Sequence, residues 1–265
     1  MSRTGGGAGR QQPERNPATR RPTLRLERKL MREHGWASLA ALDEVGRGAL
    51  CGPASVGAVL ITDSIAPAPA GVRDAKLLSR GRREQLAPAI RRWAPASAVG
   101  HASSSEIDAW GIIAALQMAA LRALAQLPMP ADGLLLDGNH DYVGGRPPVD
   151  GTPAPSVPVV TVVRADVTCA AVAAASILAK TTRDELMVRL AAQFPAYGWA
   201  DNSGFAAPHH RAAIARHGLT PHHRRSWNLP GEPGIPADAG RLGTVVVTGA
   251  VGVEAPRDGE VAHGR

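Results

Sequence analysis

Leu42-Asp43-Glu44-Val45-Gly46-Arg47-Gly48 sets two adjacent carboxylates directly before a glycine-arginine-glycine turn. Carboxylates are ligands that Mg²⁺ prefers, and a guanidinium pairs well with phosphate. The glycines allow backbone N–H and C=O groups to approach a ligand closely. Acidic and basic groups at one strand end therefore predict chemistry on a phosphodiester.

The sequence on either side alternates between strand and helix patterns. Residues 54–61 are apolar almost without interruption, which is typical of a strand buried on both faces. The other predicted strands are residues 38–42, 98–102, 133–137 and 158–164, and the predicted helices are residues 80–93, 104–127 (capped by Ser104 or Ser105), 169–193 and 209–217. The pattern predicts an α/β domain over residues 36–228.

The two ends of the chain have a different composition. Residues 1–35 hold nine Arg or Lys against three Glu, so most of the formal net charge of +7 lies there. We expect a disordered basic N-terminal arm, with a helix over Leu26–His34 as its one structured candidate. Residues 229–265 are rich in Gly, Pro and Ala and predict a disordered tail. Because the excess charge lies outside the core, it does not by itself indicate that the core binds nucleic acid.

The two cysteines, Cys51 and Cys169, lie among small apolar residues. This setting favours reduced, packed thiols over a disulfide or a metal role. No stretch of the sequence approaches the roughly 18 uncharged apolar residues of a membrane span, and no apolar segment follows the N-terminal arginines as in a secretory signal. We therefore expect a cytoplasmic protein with no membrane partner, and nothing in the sequence requires more than a monomer.

Three aspartates share one predicted setting. Asp43, Asp137 and Asp166 each lie at or just beyond the carboxyl end of an apolar strand, and Glu44 follows Asp43. Open α/β sheets place their sites at such strand ends. Because clustered carboxylates repel one another without cations, the four acids predict a site for Mg²⁺ or Mn²⁺. Two such ions about 4 Å apart can activate a water and stabilise the leaving oxygen of a displacement.

Each of these acids also has a plainer interpretation. A single strand-end Asp often belongs to a turn or caps a helix. A glycosidase pair formed by Asp43 and Glu44 is disfavoured, because adjacent residues rarely reach the separation that such a pair requires. The coincidence of three strand ends, one acidic pair and a phosphate-suited turn favours the metal site.

Several basic residues leave two interpretations open. Lys180 and Arg183 lie on one face of the long helix, where they either contact phosphate or form a solvated stripe. The basic residues between Arg73 and Arg83 are interpreted as a solvated helix face. The block from His222 to Trp227 is interpreted as a contact for a nucleic-acid backbone.

These motifs together resemble the signatures of bacterial ribonuclease HII, a type 2 ribonuclease H. The resemblance covers about residues 36–228 and depends on the order and spacing of its segments. The matching segments are Leu42–Gly48 with Cys51-Gly52-Pro53, Arg73–Ser79, Leu136-Asp137-Gly138, Asp166–Met187, Tyr197-Gly198-Trp199 and His223–Trp227.

The resemblance implies a ribonuclease H-like fold, with a mixed central sheet flanked by helices and a small helical C-terminal portion. It implies an endonuclease that cuts the RNA strand of RNA–DNA hybrids and cuts at single ribonucleotides in duplex DNA, leaving 3′-hydroxyl and 5′-phosphate ends. The backbone of Gly46-Arg47-Gly48 would read the ribose 2′-hydroxyl. Two divalent ions, Mn²⁺ or Mg²⁺, would be bound by Asp43, Glu44, Asp137 and Asp166.

Two segments depart from the family pattern: Ser203-Gly204-Phe205-Ala206-Ala207 stands where the family usually has Lys-Gly-Tyr-x-Thr, and Arg164-Ala165 precedes Asp166. Phe205, a further candidate for substrate binding, stands where the family usually has a tyrosine that stacks at the RNA–DNA junction and hydrogen-bonds near the 2′-hydroxyl. Since Phe205 keeps the ring and lacks the hydroxyl, we expect weaker cutting at single ribonucleotides. Arg164 and Ala165 replace a lysine and a glycine before Asp166, and Ala165 is expected to stiffen the strand end.

Two alternatives stand against this interpretation, one of them from another functional class. A hybrid-binding protein that has lost most of its catalysis would account for the altered segment around Phe205, although all four acids are present. A ribonuclease of the HIII type is disfavoured, because 35 residues before the core are fewer than its extra N-terminal domain needs.

Overall fold

The computed structural model describes residues 21–230. The strands are β1 (Ser38–Val45), β2 (Ala54–Thr62), β3 (Ala96–Ala102), β4 (Gly133–Asp137) and β5 (Val159–Val162). The helices are α1 (Arg25–His34), α2 (Arg80–Trp93), α3 (Ser104–Leu124), α4 (Ala165–Thr168), α5 (Ala170–Gln193), α6 (Trp199–Asn202) and α7 (Pro208–His217), with 3-10 turns at Ala75–Leu77 and Pro195–Tyr197.

The five strands form one mixed sheet in the order β3-β2-β1-β4-β5. The pairs β1–β2 and β2–β3 are antiparallel, whereas β1–β4 and β4–β5 are parallel. The parallel half therefore brings the carboxyl ends of three strands to one edge, which is where α/β sheets form their sites.

Helices cover both faces of this sheet. α1, α2 and α5 share one apolar cluster with it, and α3 packs in a second cluster on the opposite face. Glycines allow the close approach, because a Cβ on Gly57 would collide with the Ala175 carbonyl of α5 and one on Gly100 with the Ala119 carbonyl of α3. A third, smaller cluster joins the end of α5 to α6 and α7. The predicted α/β architecture with a small helical C-terminal portion is confirmed.

The start of α3 differs from the prediction. The cap is Ser103, not Ser104 or Ser105, because the Glu106 N–H donates to Ser103 Oγ at 3.2 Å while Glu106 Oε2 accepts the Ser103 N–H at 2.7 Å. This reciprocal capping box satisfies two N–H groups that the first helical turn leaves free. The helix ends at Leu124 rather than at residue 127.

Within residues 21–230, α3 is also the one helix that is long and apolar enough to cross a membrane by length and composition alone. Its backbone is interrupted at Gly111, where φ is 78°. More than half of its apolar window is buried, and the buried side chains pack against the sheet, so α3 is placed as a core helix.

The predicted disordered arm does not extend to residue 35. Arg25–His34 form α1, close to the helix candidate over Leu26–His34. Leu24 and Met31 are buried in the cluster with α5, and Arg28 Nη2 donates to the Ile65 carbonyl at 2.6 Å, so apolar packing and this bond fix the helix. Residues 1–20 and 231–265 lie outside the described residues, and the predictions for them stay predictions.

Glu27 of α1 is fully buried and caps α5 from outside that helix. Its Oε1 accepts the Ala171 N–H at 2.9 Å in the first turn of α5, and its Oε2 has no partner among the described residues. Burial is the largest influence on this carboxyl and raises its pKa from 4.5 to about 7, although the hydrogen bonds oppose the shift. The fold therefore favours the neutral acid.

Glu27→Gln tests this effect on stability. Because the folded-state pKa is raised, the stabilising contribution of Glu27 is present below pH 4.5 and is lost as pH rises through about 7. Between pH 5 and 8 the free energy of unfolding of the parent should fall relative to that of Glu27→Gln by up to about 3 kcal/mol. Urea unfolding across this range measures the difference. Glu33→Gln, which alters an exposed carboxyl of the same helix, should run parallel to the parent.

Candidate active site

Parallel pairing brings Asp43 and Asp137 to the same edge of the sheet. Leu42 of β1 is paired with Leu136 of β4, so the two aspartates follow at equivalent positions. Asp166 joins them from α4, where its backbone N–H donates to Asp137 Oδ1 at 3.3 Å. Three of the four predicted acids thus meet at one strand edge.

Glu44 lies half-buried beside these aspartates. Its backbone N–H donates to Asp43 Oδ1 at 2.9 Å. Burial and then the negative charge of Asp137 raise the pKa of Glu44. The Glu44 carboxyl therefore interacts with Asp137 of the neighbouring strand, although successive side chains of a strand point to opposite faces. The fourth acid therefore belongs to the same group.

Burial and the neighbouring carboxylates raise the pKa values of Asp43 and Asp166. For Asp43, which is 4% exposed, burial raises the pKa most, the Ser176 hydroxyl opposes it, and Glu44, Asp137 and Asp166 raise it further. Burial and then Asp137 raise the pKa of Asp166 to about 6. A cation among these groups would relieve the repulsion.

The chemistry of this donor set fits a hard divalent cation. The candidate ligands are all carboxylate oxygens, which suit Mg²⁺ and Mn²⁺. Across residues 21–230, no group of three His, Cys, Asp or Glu side chains is arranged so that it could hold a metal ion. The chemistry of the four acids, rather than their arrangement in this structure, fits a site in which a few carboxylates hold an ion and phosphate and water complete its shell.

The basic residues between Arg73 and Arg83 were predicted to form a solvated helix face, but two of them make contacts with carboxylates. Lys76 Nζ lies 3.8 Å from Asp166 Oδ2, with the side chain still 79% exposed, because the turn capped by Asp74 directs it to the carboxylates. Arg83 is buried, and its Nη2 lies 3.1 Å from Asp184 Oδ2 on α5. Lys76 thus brings a positive charge to the edge of the sheet that carries the acids, whereas Arg83 joins α2 to α5.

The Gly46-Arg47-Gly48 turn is held from beneath by Arg224. The buried guanidinium donates to the carbonyls of Gly46 at 2.6 Å, Arg47 at 2.8 Å and Gly52 at 3.0 Å. Gly46 has a φ of +82°, and a Cβ there would collide with Arg183, so no other residue fits this position without a shift. Among the described residues the N–H groups of Arg47 and Gly48, both exposed, donate to no other group. The turn therefore presents N–H donors outward and carbonyls inward.

Arg183 follows neither of its two predicted readings. It is fully buried, and its guanidinium donates to the carbonyls of Pro53 at 2.8 Å, Ser203 at 2.9 Å and Cys51 at 3.1 Å. Burial lowers its pKa to about 10, which leaves it protonated at neutral pH. Arg183 therefore joins the turn to the segment at Ser203 and is not placed to contact substrate.

Lys180 and Phe205 lie together at the outer end of this segment. Lys180 Nζ donates to Asp184 Oδ1 at 2.6 Å and lies 6.0 Å from the centre of the Phe205 ring. The guanidinium of Arg183 lies 5.6 Å from the same ring, and Phe205 is 38% exposed. Phe205 is thus an exposed aromatic ring against two cations, as in a stacking platform for a base.

The block from His222 to Trp227, predicted to contact a nucleic-acid backbone, is only partly exposed, and that prediction stays a prediction. His223 and Arg224 are buried, and the backbone N–H groups of Arg225 and Ser226 each donate to the Asp108 carboxylate at 2.9 Å. Because Arg224 and Arg225 are adjacent, the sequence does not indicate which of them is buried, and the binding of the turn by Arg224 was not predicted from it. The family motif at His223–Trp227 was the one sequence feature that marked this segment.

Comparison of the sequence with known protein families identifies the family of this chain. The ribonuclease HII family model matches residues 40–229. The chain belongs to the ribonuclease HII family. Ribonuclease HII of Streptomyces coelicolor is 46% identical over 206 residues, which cover 78% of this chain and 83% of that protein.

Solved structures support the fold. Ribonuclease H2 from Pyrococcus horikoshii OT3 superposes with a TM-score of 0.59 at 24% identity, covering 72% of this chain and 94% of that one. Bst ribonuclease HIII in complex with Mn²⁺ gives a TM-score of 0.54 at 21% identity, covering 81% of this chain and 69% of that one. The predicted ribonuclease H-like fold is confirmed, and the family model favours the HII over the HIII type.

Arg224→Gln tests the support of the turn. Three carbonyls lose a buried donor, and a glutamine amide replaces at most part of that set, so unfolding should require about 2–4 kcal/mol less. Chemical denaturation of both proteins measures the loss. Arg225→Gln is the matched control, because Arg225 is exposed and only its backbone N–H is engaged. Equal stability of the two variants would contradict the anchoring role.

Proposed function

We propose that this protein is an endoribonuclease that hydrolyses the RNA strand of RNA–DNA hybrids and cuts at ribonucleotides embedded in duplex DNA. The observation that carries the proposal is the meeting of Asp43, Asp137 and Asp166 at one sheet edge. Membership of the ribonuclease HII family supplies the substrate class.

In this proposal Asp43, Glu44, Asp137 and Asp166 hold two divalent ions, Mg²⁺ or Mn²⁺. When bound, the ions supply an activated water and stabilise charge on the leaving oxygen. Lys76, near Asp166, attracts the phosphate toward the carboxylates. The Mn²⁺ complex of Bst ribonuclease HIII, which shares the fold, supports a metal of this kind.

The Gly46-Arg47-Gly48 turn is proposed to read the ribose. With the carbonyls of Gly46 and Arg47 bound by Arg224, the outward N–H groups of Arg47 and Gly48 are the donors available to a 2′-hydroxyl oxygen. Only RNA carries that oxygen, so the turn separates RNA from DNA. The expected form is a monomer in the cytoplasm that acts on hybrid duplexes and on DNA containing ribonucleotides.

Asp43→Asn tests the catalytic site. Loss of the buried carboxylate should reduce cleavage of both a hybrid duplex and a duplex with one ribonucleotide by at least about 100-fold, because the metals lose a ligand. The rise in melting temperature that Mn²⁺ produces in the parent should shrink as well. Asp63→Asn is the matched control, since Asp63 is exposed just after β2, at the opposite end of the sheet from Asp43. Salt-sensitive binding of hybrid without cleavage by the parent would favour a binding protein instead.

Phe205→Tyr tests the departure from the family pattern. The added hydroxyl offers one hydrogen bond near the ribose and should raise kcat/KM on a single embedded ribonucleotide by about 3- to 10-fold. Steady-state cleavage of that duplex by parent and variant, beside a continuous hybrid, measures the gain. Equal rates on the single ribonucleotide would contradict the idea that the missing hydroxyl weakens this activity.

A further inference from the structure

Behind Phe205 lies a buried chain of hydrogen bonds. Trp199 Nε1 donates to His210 Nε2 at 3.0 Å, and His210 Nε2 also lies 3.3 Å from His223 Nε2. His210 Nδ1 lies 2.7 Å from the Phe205 carbonyl. Trp199, His210 and His223 are all buried. This series of hydrogen bonds therefore ends at the backbone carbonyl of Phe205, whose ring is exposed.

These contacts fix where each histidine carries its proton. The Thr220 N–H donates to His223 Nδ1 at 2.9 Å, so that nitrogen is an acceptor and the proton of His223 sits on Nε2. His210 Nε2 accepts from Trp199 Nε1, which can only donate, so His210 Nε2 is unprotonated. The Nε2–H of His223 shares the single lone pair of that nitrogen at the longer distance of 3.3 Å. The proton of His210 therefore sits on Nδ1 and is donated to the Phe205 carbonyl.

The segment that carries the ring is held at three consecutive carbonyls. Arg183 binds the Ser203 carbonyl, the backbone N–H of Leu50 donates to the Gly204 carbonyl at 2.9 Å, and His210 binds that of Phe205. The Ala207 N–H also reaches the Phe205 carbonyl, at 2.8 Å. Of these partners, His210 is the one side chain that acts on Phe205 itself.

We propose that His210 is a positioning residue that sets the place of the Phe205 ring and thereby the relative activity toward a single ribonucleotide and a continuous RNA strand. This inference rests on the proposed function. An exposed aromatic platform beside the Gly46–Gly48 turn contributes by stacking, and stacking depends on where the ring lies. A single ribonucleotide offers one productive register, whereas a continuous RNA strand offers many.

Two substitutions at His210 distinguish an effect on the position of Phe205 from an effect on the surrounding structure as a whole. In His210→Asn the amide nitrogen occupies about the place of Nδ1 and keeps the donor to the Phe205 carbonyl. In His210→Gln the amide reaches instead the place of Nε2 and keeps only the contacts to Trp199 and His223. We expect His210→Gln to lower kcat/KM on the single ribonucleotide by about 3- to 10-fold, with the continuous hybrid changed by less than about twofold. His210→Asn should restore most of the loss.

A double-mutant cycle asks whether His210 acts through the ring. In a Phe205→Ala background, His210→Gln should cause no further selective loss, because the ring that it positions is gone. His217→Asn, an exposed histidine of the same helix, is the control and should match the parent. An equal loss on both substrates, a failure of His210→Asn to differ from His210→Gln, or a loss that persists without the ring would each overturn the proposal.

The hydrogen-bond chain is also measurable in the unmodified protein. ¹⁵N NMR of the histidine-labelled full chain should show His210 protonated on Nδ1 and His223 on Nε2 at neutral pH, and the reverse assignment at either residue would overturn the proposal. Burial, followed by the neighbouring His210, lowers the pKa of His223 to about 4, in keeping with a neutral ring. This measurement needs no nucleic acid, so a parent that cut neither duplex would refute the proposed function separately.

Discussion

Most of the carbonyl groups between Gly46 and Pro53 accept hydrogen bonds from within the protein, and a buried carbonyl without a donor would be costly. Two buried guanidiniums supply most of these donors: Arg224 binds the carbonyls of Gly46, Arg47 and Gly52, and Arg183 binds those of Cys51 and Pro53. A glycine-rich turn loses more backbone entropy on folding than other segments. The charge-assisted bonds offset that loss and leave the turn in one conformation.

The same two arginines place positive charge beneath the turn. Neither forms an ion pair with a carboxylate among the described residues, and burial lowers their pKa values to about 10 for Arg183 and about 9 for Arg224, with repulsion from Arg183 adding to the second. Both stay protonated at neutral pH. Across the site, burial and then repulsion from the neighbouring carboxylates raise the pKa values of Asp43 and Asp166. Burial of like charges is therefore unfavourable both among the acids and between the two arginines. In the proposed function, a divalent ion would offset the charge of the acids, and the arginines would favour the negative charge of a phosphate.

The order of the elements and the strand-end acids were predictable because both follow from local patterns. An unbroken apolar run marks β2, and Asp137 ends an apolar strand in any α/β arrangement. The contacts of Arg183, Arg224 and Lys76 could not be predicted, because the local sequence around a basic residue is the same whether its side chain meets water, carbonyls or a carboxylate. Burial of a charge depends on contacts distant in sequence, such as Arg224 with Gly46. Ala165 was expected to stiffen the strand end, yet the left-handed residue there is Arg164, with φ of 60°.

Under the proposed function, the bound carbonyls also bear on how the turn would distinguish RNA from DNA. Arg224 occupies the carbonyls of Gly46 and Arg47, whereas the N–H groups of Arg47 and Gly48 have no partner among the described residues. Water satisfies these exposed donors in the free protein, but a docked duplex displaces it. A 2′-hydroxyl then replaces the water, whereas a deoxyribose leaves a donor unpaired at a cost of about 1–3 kcal/mol. In the proposed mode of recognition, discrimination by this turn would be a penalty on DNA as much as a gain from RNA, and the penalty would stand only while Arg224 keeps the turn from rotating a carbonyl outward.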